Sequence, residues 1–515
     1  MQRKFIYALI FILCVNLLLV ESACSKRSES DTETDAEIQT EEETEWVPKF
    51  ESLFLARKAC LEAMDLTFPF SCYTDETVTP YREYVSEVNK IVSDDNTTQE
   101  EMEKLYHEIL EKKASLNFKQ GEVARVYIYS NTAEPWQYSP CKIAVIPAEG
   151  DKYSVVCYDD CQIKIRGNST AGAPKKPYTF KLPEKARLLG MDKGSRWTLL
   201  AGMFDKTLMR TQIGFHLAED LGCPYSSQTT LVEVYYNGEY QGVYDLIEPI
   251  TDGKGQVDID KDDNDFIIEI DVNRNDPQYY FTTGMGLRFK VEQPEDMSDE
   301  RIAEMKSFFK EMEAAISSGD MSQYEKYIDV DSFVNVYLVM EYTKNLDSNS
   351  FSTRFFRKDG ILYAGPVWDF DLSSGNVSDK CDEEGYRIYL NIRGRGDGSG
   401  DSTHGLWYQN GWFYELFKDP EFVSKVKERY AEVHDILENV YCDNNLGKSQ
   451  IGGMLETYGD AFKRNYDDTD WDITRQYSSY ESTKVMTFDE HVETLTQWFA
   501  GRLEYLDSVY LDSAE

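Results

Sequence analysis

The stretch that decides the fold spans residues 345–376 and reads NLDSNSFSTRFFRKDGILYAGPVWDFDLSSGN. Its later part, ILYAGPVWDFDL, is apolar and aromatic and predicts a strand. Asp369 and Asp371 lie inside this run, although acids are rarely buried unless they are paired or bind a metal ion. Two interpretations remain open. The acids either accept backbone N–H groups in a turn at the strand end, or they hold a metal ion.

The composition indicates a folded, strongly acidic chain with more than one domain. Its 515 residues exceed the usual length of one domain, and an apolar fraction of 41% allows a large core. The formal net charge of -39 repels phosphate backbones, which argues against a nucleic-acid partner. An anionic membrane surface is a poor match for the same reason. A basic protein suits this surface better.

The N-terminus predicts export. Residues 1–23 contain a basic start and the apolar run Phe5–Val20, which is short for a membrane span and typical of a signal peptide. Cys24 follows in a lipobox-like setting, so we expect a lipoprotein on the outer face of the bacterial cell membrane. Ordinary cleavage near Ala23 is the alternative. Residues 24–46 are acidic and lack aromatic residues until Trp46, which predicts a disordered tether.

The cysteines of an exported chain can form disulfides. Beyond residue 24 there are eight: Cys60, Cys72, Cys141, Cys157, Cys161, Cys223, Cys381 and Cys442. An even number permits pairing, but the sequence does not determine which cysteines pair. The pair in VVCYDDCQIKI could instead bind zinc, although no histidine is nearby and this interpretation is weaker.

Residues 47–118 predict a small helical module. YREYVSEVNKIV has apolar residues at helical spacing, and DDNTTQEEMEKLYHEILEKKASL carries capping residues, early acids and late lysines. This stretch resembles the FIVAR modules of bacterial surface proteins. A plain helical spacer is an equally good interpretation.

The remaining chain is β-rich first and helical last. Short β-type runs begin near residue 122, and Asn237-Gly238 separates two of them as a hairpin turn. Helical patterns follow at LMRTQIGFHLAEDLG, across residues 297–345 and across residues 408–512. This order predicts an α+β fold rather than a doubly wound sheet.

Four blocks in order resemble the spore coat protein H (CotH) kinase family. They are IRGNSTAGAPKKPYTFKL, WTLLAGMFDKTLMRTQIGFHLAEDLGCPY, VEVYYNGEYQGVYDLIEPI and the stretch at residues 345–376. Each block alone is weak, and the specificity lies in the ordered set. The resemblance implies an atypical protein-kinase-like fold over residues 119–512, with ATP and Mg²⁺ as its ligands.

The resemblance also implies roles for the carboxylates. Asp347 takes the place of the catalytic aspartate, Asp369 that of the main magnesium ligand, and Asp371 supports it. Kinases often carry an Asn five residues after the catalytic aspartate as a second metal ligand. Here Ser352 occupies that position, and Asn349 is the substitute metal ligand.

Five charged residues in the matched blocks are expected to contact the nucleotide. Lys181 is the candidate for pairing with the phosphates, with Arg166 and Lys176 nearby, and Arg210 is a further candidate. Glu248 could pair with Lys181 or lie near the base. Lys181 alternates with apolar neighbours, so it faces away from their core, either towards a cleft or into solvent.

The function implied is that of a secreted or surface-tethered kinase. It would transfer the γ-phosphoryl group of ATP to Ser or Thr of a surface or extracellular protein, and its acidic surface favours a basic, Ser/Thr-rich acceptor. Two alternatives are a non-catalytic surface scaffold on the same fold and a nucleotide-dependent transferase with another reaction.

Overall fold

The computed structural model describes most of the chain from residue 49 onward. The described ranges are 49–253, 257–260, 264–270, 280–345, 347–349, 351–377, 411–479, 481–482 and 485–511. The predicted signal peptide, the predicted tether with Cys24, and Cys381 lie outside these residues. No helix among the described residues is long and apolar enough to cross a membrane.

Three helices form the N-terminal module. They are α1 (Leu53–Met64), α2 (Asp75–Val92) and α3 (Gln99–Ala114). A capping box starts α3, because the Thr98 side chain accepts from the Glu101 N–H and the Glu101 side chain accepts from the Thr98 N–H. The three helices enclose a small core of their own around Cys60, Val88 and Met102.

A closed barrel of seven strands follows the helical module. Its strands are β1 (Arg125–Ser130), β2 (Ser139–Ile146), β3 (Val156–Ile165), β4 (Tyr178–Ala186), β5 (Gly194–Leu200), β6 (Thr229–Tyr236) and β7 (Glu239–Ile247), joined in the order β1-β2-β3-β4-β5-β7-β6. A parallel pairing of β1 with β6 closes it. The predicted hairpin is confirmed, because Asn237 and Gly238 both adopt positive φ between β6 and β7.

Alternation along the strands separates the barrel interior from its outer surface. Ile163, Phe180 and Trp197 belong to the interior cluster and are fully buried. On each of these strands, the residue that directly precedes or follows the inward-facing residue points outwards, since successive side chains face opposite sides of a sheet. This rule places Lys164, Lys181 and Arg196 on the outside.

A second sheet and a group of helices complete the fold. The sheet order is β12-β11-β8-β10-β9, with β8 (Phe266–Ile270), β9 (Tyr280–Thr282), β10 (Arg288–Gln293), β11 (Thr353–Lys358) and β12 (Ile361–Ala364). The helices are α4 (Arg210–Asp220), α5 (Asp299–Ser317), α6 (Met321–Tyr324), α7 (Val330–Thr343), α8 (Trp412–Leu416), α9 (Pro420–Glu438), α10 (Gln450–Asp467) and α11 (Phe488–Tyr510). The predicted α+β class, β-rich in the middle and helical towards the C-terminus, is confirmed.

The predicted strand through WDFD is wrong beyond residue 364. Gly365 has a φ of +105°, and Pro366 has no N–H to continue a ladder, so β12 ends at Ala364. Asp369 and Asp371 therefore lie in a loop. A loop can aim both carboxylates at one site, which a regular strand pairing would have restricted.

Candidate active site

Asn345, which follows the end of α7, connects the loop of Asp347 with the loop of Asp369. Lys344 adopts the left-handed conformation and stops the helix. The buried Asn345 amide then donates to the backbone oxygen of Asp369 (2.8 Å) and accepts from the Asp347 N–H (3.0 Å). One side chain thus fixes the loop of Asp347 against the loop of Asp369. No pattern in the sequence singles out Asn345.

Ser352 contacts Asp369 directly. Its hydroxyl donates to a carboxylate oxygen of Asp369 at 2.9 Å, and both residues have positive φ. Non-glycine residues with such backbone angles concentrate at functional sites. Ser352 occupies the position at which kinases often carry an Asn, and here it orients the Asp369 carboxylate. Asn349 lies in the short turn Asp347–Asn349, and its side chain is outside the described parts.

Carboxylates converge around Asp371. Burial raises the pKa of Asp371 well above its ordinary value, and the nearby Asp369 and Asp347 raise it further. Asp205 adds a smaller effect in the same direction. Such a concentration of carboxylates suits a divalent cation, which would neutralise their charge.

These carboxylates fit a magnesium ion that is held partly by the protein and partly by the phosphates of a substrate. Within the described ranges, no group of three or more His, Cys, Asp or Glu side chains is arranged to hold a metal ion. Mg²⁺ usually takes only one or two carboxylates and completes its shell with water and substrate phosphates. Asp369 and Asp371 are the residues that would hold it here.

Arg166 lies next to these acids, just after β3. Its guanidinium lies over the Trp368 ring, 5.6 Å from the centroid, and Asp369 is the acid with the largest effect on it. Burial and the neighbouring Arg354 nevertheless lower the pKa of Arg166. Arg354 stacks on the same ring and is paired with Glu292 at 2.9 Å. Arg166 forms no salt bridge with any described carboxylate.

Three more cations extend from Arg166 along the outer face of the barrel. Lys181 and Arg196 are direct neighbours across β4 and β5, and Lys164 lies one strand away. Lys181 and Lys164 both contact the Tyr138 ring, at 4.0 and 4.9 Å from its centroid. Burial lowers the pKa of Lys164, and the nearby cations lower it further.

We call these four residues the cation strip: Lys164, Arg166, Lys181 and Arg196. None of them forms a salt bridge within the described part of the chain. In a chain with a net charge of -39, four neighbouring cations without a salt bridge are unusual. The strip ends at Arg166, which lies beside Asp369. The resemblance named Arg166 and Lys181, whereas Lys164 and Arg196 were missed.

Arg210 holds the acidic loop in place from behind. Its Nε donates to the Ser373 carbonyl (3.1 Å) and its Nη2 to the Ser374 carbonyl (3.2 Å). Arg210 also pairs with the buried Asp205. Burial favours a raised pKa for Asp205, but Arg210 and backbone N–H groups hold that pKa below its ordinary value. These contacts describe a positioning residue for the loop that follows Asp371.

The remaining predicted nucleotide residues lie elsewhere. Lys176 donates to the Ala171 carbonyl (3.1 Å) and lies over the Trp136 ring. Burial raises the pKa of Glu248 to about 7, with Asp192 and Arg187 as its charged neighbours. The structure therefore groups neither residue with the carboxylates, and it does not bring Glu248 to Lys181.

Lys175, beside Lys176, is a structural residue. It is fully buried, donates to the Val243 carbonyl and to the Asn465 side chain (2.8 Å), and faces Asp245. Burial lowers the pKa of Lys175 to about 7. The residue connects the loop after β3 with β7 and α10, which makes it a structural element of the barrel wall.

A buried histidine behind the site makes stability depend on pH. Burial and the nearby Arg210 lower the pKa of His491 to about 4. Between that value and about 6.5 the unfolded chain binds a proton that the folded chain does not, so stability falls as pH falls through this window. The full effect is on the order of 3 kcal/mol.

We expect His491→Gln to remove this part of the pH dependence. Urea unfolding at about pH 7 and about pH 4.5 measures it as the difference between the parent and the variant. His107→Gln, at a half-buried position of α3 in the helical module, controls for the substitution. An unchanged pH dependence in His491→Gln would contradict the assignment.

One family model matches the chain. It is described as CotH kinase protein and matches residues 163–506. The match begins within β3, includes all four residues of the cation strip, and ends within α11. No curated protein matches the sequence. The matched segment is more than half of the chain, and the chain therefore belongs to the CotH kinase family.

Proposed function

We propose that the protein is an ATP-dependent kinase with an atypical kinase-like fold, which phosphorylates Ser or Thr of an acceptor protein. The observation that carries this proposal is the cation strip, which ends at Arg166 beside Asp369, next to the convergent carboxylates of Asp347, Asp369 and Asp371. Phosphoryl transfer needs cations for the phosphates, carboxylates for the metal ion and an acceptor for the hydroxyl proton. Membership of the CotH kinase family supports the same reaction class.

Each group then has a distinct task. Lys181, Arg166 and their neighbours in the strip bind the triphosphate and offset its charge. Asp369 and Asp371 would hold Mg²⁺, which neutralises charge on the phosphates when it is bound. Asp347 accepts the proton of the attacking hydroxyl. Asn345, Ser352 and Arg210 keep these groups in position, because a small displacement at such a site lowers the rate strongly.

The acceptor and the location are further parts of the proposal. The net charge of -39 favours a basic, Ser/Thr-rich acceptor. The N-terminal sequence supports export and lipid anchoring at Cys24 on the outer face of the bacterial membrane. Both statements rest on sequence, and surface labelling of intact cells tests the second.

Calorimetry with Mg²⁺ and ATP tests the role of the strip. We expect Lys181→Met to weaken ATP binding by about tenfold or more, the usual cost of a lost charge-assisted contact. Lys185→Met is the matched control, because Lys185 lies on the same strand but is exposed and outside the strip. Equal affinities for Lys181→Met and Lys185→Met would contradict the proposed phosphate site.

A further inference from the structure

Two cysteines face each other inside the barrel. Cys141 on β2 and Cys161 on β3 are direct partners in the antiparallel register. Both are almost fully buried, 4% and 1% exposed, and both belong to the interior cluster. The structure holds them as thiols.

The register satisfies the geometric requirement of a disulfide. Directly opposed residues of an antiparallel pair have Cα atoms about 4.5–5.5 Å apart, with side chains on the same face. Disulfides span about 4.4–6.8 Å between Cα atoms. Cys141 and Cys161 are therefore within the range of Cα separations that a disulfide spans, beside the irregularity of the register between Cys141 and Ile143.

The Cys161 thiol has only a long contact of 3.9 Å with the Tyr158 carbonyl and a backbone contact with Ile143, and Cys141 is one of its neighbours in the interior cluster. Cys157 is the other cysteine of β3, but it is exposed and pairs in register with Ala144, which belongs to a different cluster. Among the described cysteines, only Cys141 is the register partner of Cys161.

We propose that Cys141 and Cys161 form a structural disulfide that joins β2 to β3. The oxidant is an external disulfide. A thiolate of the pair attacks it and releases one thiol, and the second cysteine then attacks the mixed disulfide and releases the other. In total, two protein thiols become one S–S bond and one external disulfide becomes two thiols.

The bond has to form while the barrel folds. Burial raises the pKa of the Cys161 thiol to about 12, so almost no thiolate is present in the folded state. The interior also excludes an external disulfide. The pair is therefore a permanent clamp rather than a reversible switch, and it forms where folding occurs in an oxidising compartment.

The clamp lies on β3, which carries Lys164 of the cation strip and leads to Arg166. Lys164 and Arg166 follow Cys161 on the same stretch of chain. Joining β3 to β2 at Cys161 restrains the start of that stretch. The inference does not depend on the kinase proposal, because it concerns the bond itself.

Refolding of the full chain tests the proposal. Reduced, unfolded protein is refolded with oxidised glutathione, and the same reagent is added to reduced protein that is already folded. Peptide mapping without reductant then identifies the linked peptides. We expect the Cys141–Cys161 link after refolding and almost none in the folded sample, while the exposed Cys442 reacts in both.

Matched variants separate the bond from general oxidation. In Cys157→Ala the link should persist, and oxidation should raise the melting midpoint of the parent by about 3 °C. That rise should disappear in Cys141→Ala/Cys161→Ala. Free thiols at both positions after refolding, or a link from either of them to another cysteine, would overturn the proposal. Fast linking in the folded sample would overturn the claim that the bond forms during folding.

Discussion

Asp369→Asn is expected to lower phosphoryl transfer by at least about a thousandfold, roughly 4 kcal/mol of transition-state stabilisation. The amide keeps the shape of the carboxylate and can still accept from the Ser352 hydroxyl, but it removes a negative charge that would hold Mg²⁺. The lost activity therefore reports on the metal ligand and not on misfolding. The rate is measured as label transferred from γ-labelled ATP per unit time.

The control for this variant is Asp359→Asn. Asp359 lies in the exposed turn between β11 and β12, and its positive φ tolerates Asn as well as Asp. We expect parental activity and an unchanged unfolding midpoint from it. Asp369→Asn with parental activity would show that Asp369 is not a metal ligand of the reaction.

The largest expected effect on stability comes from Arg502→Met. Arg502 on α11 and Glu341 on α7 are both completely buried and form a salt bridge of 2.6 Å. The Arg502 guanidinium also donates to the Glu341 carbonyl. Removing the arginine leaves a buried carboxylate without its main cation, which costs about 3–5 kcal/mol of unfolding free energy. Denaturant unfolding measures the loss.

A double variant distinguishes the pair from simple packing. Arg502→Met/Glu341→Leu removes both charges, and we expect it to recover most of the stability. Lys463→Met breaks an exposed pair with Asp489 and should cost less than about 1 kcal/mol. If Arg502→Met costs no more than Lys463→Met, the buried pair does not have the role assigned to it.

The sequence predicts the elements of this fold better than their ends. Alternating β-type runs, the Asn237-Gly238 turn and helical periodicity indicate the β-rich middle and the helical C-terminal part correctly, because local side-chain patterns determine them. The predicted strand through Asp369 is wrong because residue composition outweighed the signals of Gly365 and Pro366. Those two residues stop the ladder, and their backbone angles matter more than the apolar neighbours.

The site depends on contacts that a single sequence does not reveal. The carboxylates were identified through ordered blocks, and Arg166 and Lys181 through the same resemblance. Arg196 joins them only because the β4–β5 register sets it opposite Lys181. Lys175 and Lys176 are adjacent in sequence, yet only Lys175 is buried. Its ammonium group donates a hydrogen bond to the side chain of Asn465, 290 residues away. Such long-range partners decide which lysine is structural.

The most direct test of the central claim compares two labels of the same nucleotide. The full chain is incubated with Mg²⁺, a basic Ser/Thr-rich protein mixture, and ATP labelled at either the γ- or the α-phosphate. A kinase transfers the γ label to protein and leaves the α label on the nucleotide. We predict γ label on Ser or Thr, dependent on Asp369, and no α label. Transfer of the α label, or no transfer although ATP binds, would contradict a kinase.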